Sequence, residues 1–244
     1  MVAEGDSWFE HPLYPDLLDW AGKDFAVLSL AKAGDTWSDM IDQDSEPPKH
    51  YSDGSLMGLI HAVADESNTA RPPKTILLSA GGNDLIGQIV QCVYPYDPER
   101  SEDDYINHDE FDVVLGQVMT DYRDKSAELI RMGKIVLVHS YDYPNPQDNG
   151  PFIGFPLRKY RNIPGVGLMR RIVNQMIDIF SNELISLANN SNDKIHFINL
   201  RETIGTRDIL NGPDQRLWSD EMHGNQFGYE LLWKRLRAGI EAHA

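Results

Sequence analysis

The chain has 244 residues, 41% hydrophobic and 25% charged, with 22 basic against 38 acidic side chains and a net charge of −16. That balance argues against a nucleic-acid backbone or an anionic membrane surface as the main partner, and the composition is that of a folded globular domain. The single cysteine, Cys92, allows no intrachain disulfide, and no apolar run approaches the ~18 residues that span a bilayer, so stable membrane insertion is not expected.

The chain opens on Met1-Val2-Ala3-Glu4, a short apolar start that leads into Gly5-Asp6-Ser7, a tight turn carrying a serine. No secretory leader precedes it, which favours a cytoplasmic location, and the shortness of the first strand points to a natural chain that begins earlier. Over residues 12–20, Leu13, Leu17, Leu18 and Trp20 recur as in a short helix. Residues 25–30 read as a buried strand, broken at Gly34 and Asp35. Residues 43–54 are polar and contain proline, as a surface loop does. Leu56, Leu59, Ile60 and Val63 predict a helix over 56–64, and Pro72-Pro73 closes that connection.

Residues 75–80 form a second strand, stopped by Gly81-Gly82. Residues 95–112 are acidic and turn-rich, an excursion over the surface. From 111 to 131, Val114, Leu115, Val118, Met119, Tyr122, Leu129 and Ile130 fall at helical intervals, with Gly133 as terminator. Residues 135–138 are a third strand, followed by a long loop over 144–164. Helical spacing resumes with Leu168, Ile172, Val173, Met176, Ile177, Phe180, Leu184 and Leu187. Residues 195–200 are a fourth strand, and a last helix over 225–242 has Phe227, Leu231, Leu232, Leu236 and Ile240 on one side. Continuous apolar strands alternating with amphipathic helices predict an α/β fold, a parallel sheet covered on both faces, with five strands if the N-terminal stub pairs. Nothing divides residues 1–244, so they read as one domain.

Four short blocks carry chemistry. A serine hydroxyl needs a base to become a nucleophile, and histidine suits that task at ordinary pH. Ser7 and His223 supply the pair. The histidine in turn needs a partner on its other nitrogen, and Asp220, three residues earlier, meets that need if the segment turns tightly; Glu221 is a competing orienter. An oxyanion needs fixed donors, for which the Ser7 N–H, Gly34 and the Asn83 amide are candidates. Each follows a strand-like run, so the carboxyl edge of one parallel sheet can gather all three.

Gly5-Asp6-Ser7, Gly34, Gly82-Asn83-Asp84 and Asp220-Glu221-Met222-His223 resemble, in order and spacing, the four sequence blocks of the SGNH/GDSL hydrolase family, and Trp218-Ser219 with Asn225, Phe227 and Gly228 resembles its final block. The similarity spans nearly the whole chain. It implies a three-layer α/β/α sandwich with a flavodoxin-like parallel sheet, and hydrolysis of carboxylic esters or thioesters through an acyl-enzyme with no cofactor. It further implies Ser7 as nucleophile, His223 as base, Asp220 as its orienter, and Ser7, Gly34 and Asn83 as the oxyanion hole. Trp8 and Gly224 depart from the family's usual leucine and proline. A small-molecule, lipid or carbohydrate ester is the implied partner; the oligomeric state is left open. The rivals are an acyltransferase on the same site, a non-catalytic carbohydrate- or lipid-binding module, and a metal-dependent phosphoesterase.

Plainer readings fall to the other residues. His139 reads as a core histidine, His196 as structural, Cys92 as a small buried apolar group, and His11 has no assigned role. His108 with Asp103, Asp104, Asp109 and Glu110 reads as a solvated acidic loop, so no metal is expected. The 144–164 loop holds Phe152, Ile153, Phe155, Leu157, Tyr160 and Ile163. It either roofs the site and supplies an acyl-binding wall through Phe152, Phe155 and Leu157, or buries these side chains as a satellite cluster.

Overall fold

The computed structural model describes residues 1–41 and 73–243. The polar loop over 43–54, the helix over 56–64 and Pro72 lie outside the described residues. Five parallel strands pair in the order β2-β1-β3-β4-β5: β1 (Val2–Gly5), β2 (Leu28–Ser29), β3 (Thr75–Ser79), β4 (Ile135–His139) and β5 (Ile195–Ile198). The four-residue first strand does pair, and on both sides: Val2 lies opposite Leu28 and Ile76, and Gly5 opposite Ser79. Every residue of β1 and β3 is buried, and apart from Glu4, Thr75 and Ser79 both strands are apolar. The chain leaves β1 towards β2 on one side and returns to β3 on the other, so the crevice beyond β1 and β3 is the switch point where ligands bind in such sheets.

Two long helices pack together on the sheet, α4 (His108–Arg131) and α6 (Val166–Asn189). The short α3 (Gly82–Gly87) and α5 (Gly154–Arg161) lean on them. A second layer consists of α1 (Leu17–Ala21) and α7 (Gln226–His243), α7 packing on β5 and α1 on α7. A further short helix, α2 (Trp37–Ile41), follows β2. The expected helical stripes hold in α4, which buries Phe111, Leu115, Val118, Met119, Tyr122 and Leu129, and Gly133 follows its end at φ 76°. They hold in α6 as well, where Ile172, Val173, Met176, Ile177, Phe180 and Leu184 are buried.

Four expectations need correction. The helix expected over 12–20 begins only at Leu17, because Asp16 caps it by accepting from the N–H groups of Leu18 and Asp19; Leu13 is 77% exposed. The strand over 25–30 shrinks to two residues on the sheet edge, and Leu28 and Ser29 are exposed rather than buried. The 144–164 loop contains helix α5, with Pro156 in its first turn, where a missing N–H breaks no helical bond. In α7 the buried stripe runs through Gly228, Tyr229, Leu232, Trp233, Leu236 and Ile240, which leaves Phe227 and Leu231 exposed.

Candidate active site

The turn after β1 is built around a buried carboxylate. The Asp6 N–H extends the ladder to the Ser79 carbonyl at 3.1 Å. The Asp6 side chain accepts from the Trp8 N–H at 3.0 Å, the Ser79 hydroxyl at 3.1 Å and the Tyr141 hydroxyl at 2.5 Å. Burial pushes the Asp6 carboxyl above its ordinary range, and these three bonds pull it back in part. The Tyr141 oxygen also accepts from the Gly82 N–H at 3.3 Å, so one phenol joins the ends of β1, β3 and β4. Ser7 projects from this turn at 8% exposure, and its N–H makes no hydrogen bond among the described residues.

His223 arrives on a loop pinched by a bridge between Trp218 and Gly224 and by the Ser219 N–H donating to the His223 carbonyl at 2.9 Å. Asp220 Oδ1 accepts from the backbone N–H groups of Met222 and His223 at 2.7 and 2.9 Å, the tight turn that places both side chains together. His223 Nδ1 donates to Asp220 Oδ2 at 2.8 Å, which leaves Nε2 as acceptor from the Ser7 hydroxyl at 2.7 Å. Burial pushes the Asp220 carboxyl up, but the bonds from His223 and the backbone outweigh it and hold the group below its ordinary value.

Glu221 points elsewhere and does not orient His223. It is fully buried, and its carboxylate accepts from the N–H groups of Gln147, Phe152, Ile153 and Gly154 at 2.8–3.0 Å. The packing there is tight. A Cβ on Gly150 would lie 1.9 Å from Glu221 Cδ, and one on Gly154 would lie 1.5 Å from the Gln147 carbonyl oxygen.

Gly34 sits in an exposed turn at φ 89°, and its N–H has no partner among the described residues. Asn83 begins α3 beside it. The Asn83 amide donates one hydrogen to the Asp35 carbonyl at 2.9 Å, and the Asp84 carboxylate accepts from the Trp37 N–H at 3.2 Å. These two bonds tie the Gly34 turn to the end of β3 and leave the second Asn83 amide hydrogen available. From α4, Tyr122 clamps Ala80 through both backbone groups, at 2.9 and 3.2 Å, and so fixes the strand end that carries Asn83.

His11, to which the sequence assigns no role, stands beside this chain of bonds. Its ring meets that of His223 at 5.0 Å between centroids, and one donor atom each of His11, Asp220 and His223 lie within 4.8 Å of one another. The spacing suits a metal ion, but the lone pairs do not. His11 Nδ1 accepts from the N–H groups of Leu13 and Tyr14, which puts its proton on Nε2, and the His223 nitrogens are engaged with Ser7 and Asp220.

A cleft of about 470 Å³, part of it open solvent, adjoins the serine turn. Trp8, Leu85, Ile86, Val173, Met176 and Ile177 give it an apolar lining, completed by Gly82, Tyr141, Asp142, Pro144 and Met222; Trp8, Gly82 and Met222 are the chain neighbours of Ser7, Asn83 and His223, which do not themselves line it. None of Phe152, Phe155 and Leu157 lines it. Phe152 lies edge-on to His223 at 6.0 Å, Phe155 packs on Tyr160 and is 44% exposed, and Leu157 is wholly buried. The three side chains therefore do not form an acyl wall in this cleft: Leu157, like Ile153 and Ile163, belongs to the main core, and of the three only Phe152 packs against a site residue.

The remaining candidates lie elsewhere. His139 is buried beside Trp8, donates to the Ser140 carbonyl and is pushed down to about 4 by burial, so it is a neutral core histidine. His196 stacks on His243 at 4.0 Å. His108 pairs with Asp112, while Asp103 pairs with Arg171 on α6. Cys92 is buried, its thiol pushed up to about 11.

No family model and no curated protein matches the sequence. Solved structures do match. A GDSL-like lipase from Bacteroides thetaiotaomicron aligns at a TM-score of 0.55 and 15% identity, over 100% of this chain and 88% of its own. TesA aligns at 0.53 and 14%, over 100% and 98%. An acetylxylan esterase from Geobacillus stearothermophilus aligns at 0.52 and 14%, over 98% and 92%. At such identity the likeness concerns the backbone, and it agrees with the five-stranded parallel sheet and its helices: the chain has the three-layer α/β/α fold of the SGNH/GDSL hydrolases.

Proposed function

We propose that this protein is a serine hydrolase that cleaves carboxylic esters through an acyl-enzyme. The observation that carries the reading is the unbroken run from the Ser7 hydroxyl through His223 to Asp220, at 2.7 and 2.8 Å. The neighbours named as a GDSL-like lipase and an acetylxylan esterase support ester hydrolysis at the level of the fold.

His223 Nε2 takes the Ser7 proton as Oγ attacks the ester carbonyl. Asp220 holds the imidazole in the required tautomer and stabilises the imidazolium. The carbonyl oxygen, now an anion, accepts from the Ser7 N–H, the Gly34 N–H and the free hydrogen of the Asn83 amide. Collapse breaks the ester C–O bond, His223 gives its proton to the departing alcohol oxygen, and the acyl group stays on Ser7. Water, deprotonated by His223, then attacks the acyl-enzyme and releases the acid. The acyl chain occupies the apolar cleft between Trp8, Ile86 and Met176.

The test is hydrolysis of p-nitrophenyl esters from acetyl to palmitoyl by the wild type and Ser7→Ala. Turnover by the wild type, lost in the variant and declining towards palmitoyl, is the expected result. Equal rates for the two proteins would remove Ser7 from the mechanism. Product analysis with added alcohols checks that water, rather than a second alcohol, takes the acyl group.

A further inference from the structure

Glu221 and the loop it holds have no part in the steps above, yet they are among the most tightly built features of the molecule. The carboxylate collects four backbone N–H groups from residues 147–154, and the Glu221 carbonyl accepts a fifth, from Asn145, at 2.8 Å. Gly150 and Gly154 admit no side chain against it. An acceptor that holds four backbone donors is costly to disturb, so the loop keeps one shape. Glu221 is also covalently next to Asp220, so the frame of the loop and the frame of the His223 orienter are the same stretch of chain.

That shape sets one side chain against the site. Phe152 presents its ring to the His223 ring at 6.0 Å and 82° and remains 39% exposed. The apolar cleft is lined by Pro144 at the start of the loop and by no residue of 147–154. In ester cleavage His223 Nε2 delivers its proton to the alcohol oxygen, so the rings packed on His223 outside the acyl cleft, Phe152 and His11, are the ones available to the leaving group.

We propose, building on the ester-hydrolase reading, that residues 147–154 form the wall for the alcohol portion of the ester, with Phe152 as the specificity-determining side chain and Glu221 as the positioning residue that holds it. An aromatic face open to solvent on a strongly acidic protein suits a neutral alcohol with an apolar face, and disfavours a polyanionic leaving group.

The test keeps the acyl group constant and varies the alcohol: kcat/KM for 2-naphthyl acetate and for methyl acetate, in the wild type, Phe152→Ala, Phe152→Tyr and Glu221→Gln. The naphthyl-to-methyl ratio is expected to fall about tenfold in Phe152→Ala, to return in Phe152→Tyr, and to fall in Glu221→Gln. The ratio is the informative quantity, because both esters use the same acyl cleft and the same serine, so general loosening lowers both rates together. An unchanged ratio in Phe152→Ala overturns the inference and leaves the hydrolase reading standing. A wild type that hydrolyses neither acetate overturns both. Phe152 is partly exposed, so Phe152→Ala decides the matter even if Glu221→Gln does not fold.

Discussion

The two halves of the proposed site are held by opposite means. The serine turn grows from a central strand, and its buried Asp6 is anchored largely by side-chain hydroxyls, those of Ser79 and Tyr141, with one backbone N–H from Trp8. The histidine loop belongs to no strand, and its two carboxylates are anchored chiefly by backbone: Asp220 by Met222 and His223, Glu221 by residues 147, 152, 153 and 154. Backbone donors survive every substitution except proline, so the fragility of the histidine loop is concentrated in its acceptors. The serine turn spreads its dependence over several partners, each replaceable singly.

The largest effect sets the scale. Ser7→Ala is expected to lower turnover by at least ~10⁴-fold, with thermal stability near that of the wild type, in paired ester assays and melting curves. Next, Glu221→Ala leaves four N–H donors without their acceptor, those of Ile153 and Gly154 in the interior. It is expected to cost about 3–5 kcal/mol by urea unfolding, more than any single change at the serine turn. Asn83→Ala is expected to reduce kcat on the order of 10²–10³-fold with a smaller change in KM; a near-normal kcat would remove Asn83 from the oxyanion donors. Tyr141→Phe takes one bond from Asp6 and leaves two, so a loss of roughly 1–3 kcal/mol is expected. Should Tyr141→Phe prove costlier than Glu221→Ala, the contrast between the halves would be wrong.

The smallest effect per step concerns pH. Glu4, buried in β1 with one carboxylate oxygen unpartnered, is pushed up to about 8 by burial. The folded protein therefore holds a proton there that the unfolded chain releases near the ordinary value of 4.5. Stability from this group is full below about 4.5 and is lost as pH rises through about 8, by at most ~1.4 kcal/mol per pH unit. Glu4→Gln is expected to flatten that slope, measured as denaturation midpoints across the same interval.

Much of this is legible in the sequence. The sheet is readable because buried parallel strands are largely apolar, and the meeting of Ser7 with His223 and Asp220 because each end of that pair stands in a short local motif. Leu28 misled because apolar character does not tell a central strand from an edge strand. Helix α5 was hidden by Pro156, which looks like a breaker until its place in the first turn is known. The offset of the α7 stripe by one residue, which exposes Phe227 and Leu231, depended on Tyr229 and Trp233 facing inward. Nothing in the sequence marks Glu221, read there as a competing orienter, as the anchor of the loop, since its partners are N–H groups that almost every residue carries, and Tyr141 meets Asp6 only through the sheet, 135 positions away.

The bond between Ser7 and His223 closes a loop of 216 positions. Contacts so distant in sequence form late when a chain folds, after the local helices and the neighbouring strand pairs have shortened the path between them. Recovery of ester cleavage during refolding is therefore expected to lag behind the return of helical signal and of tryptophan burial. The reaction itself becomes a clock for the final closure of the chain.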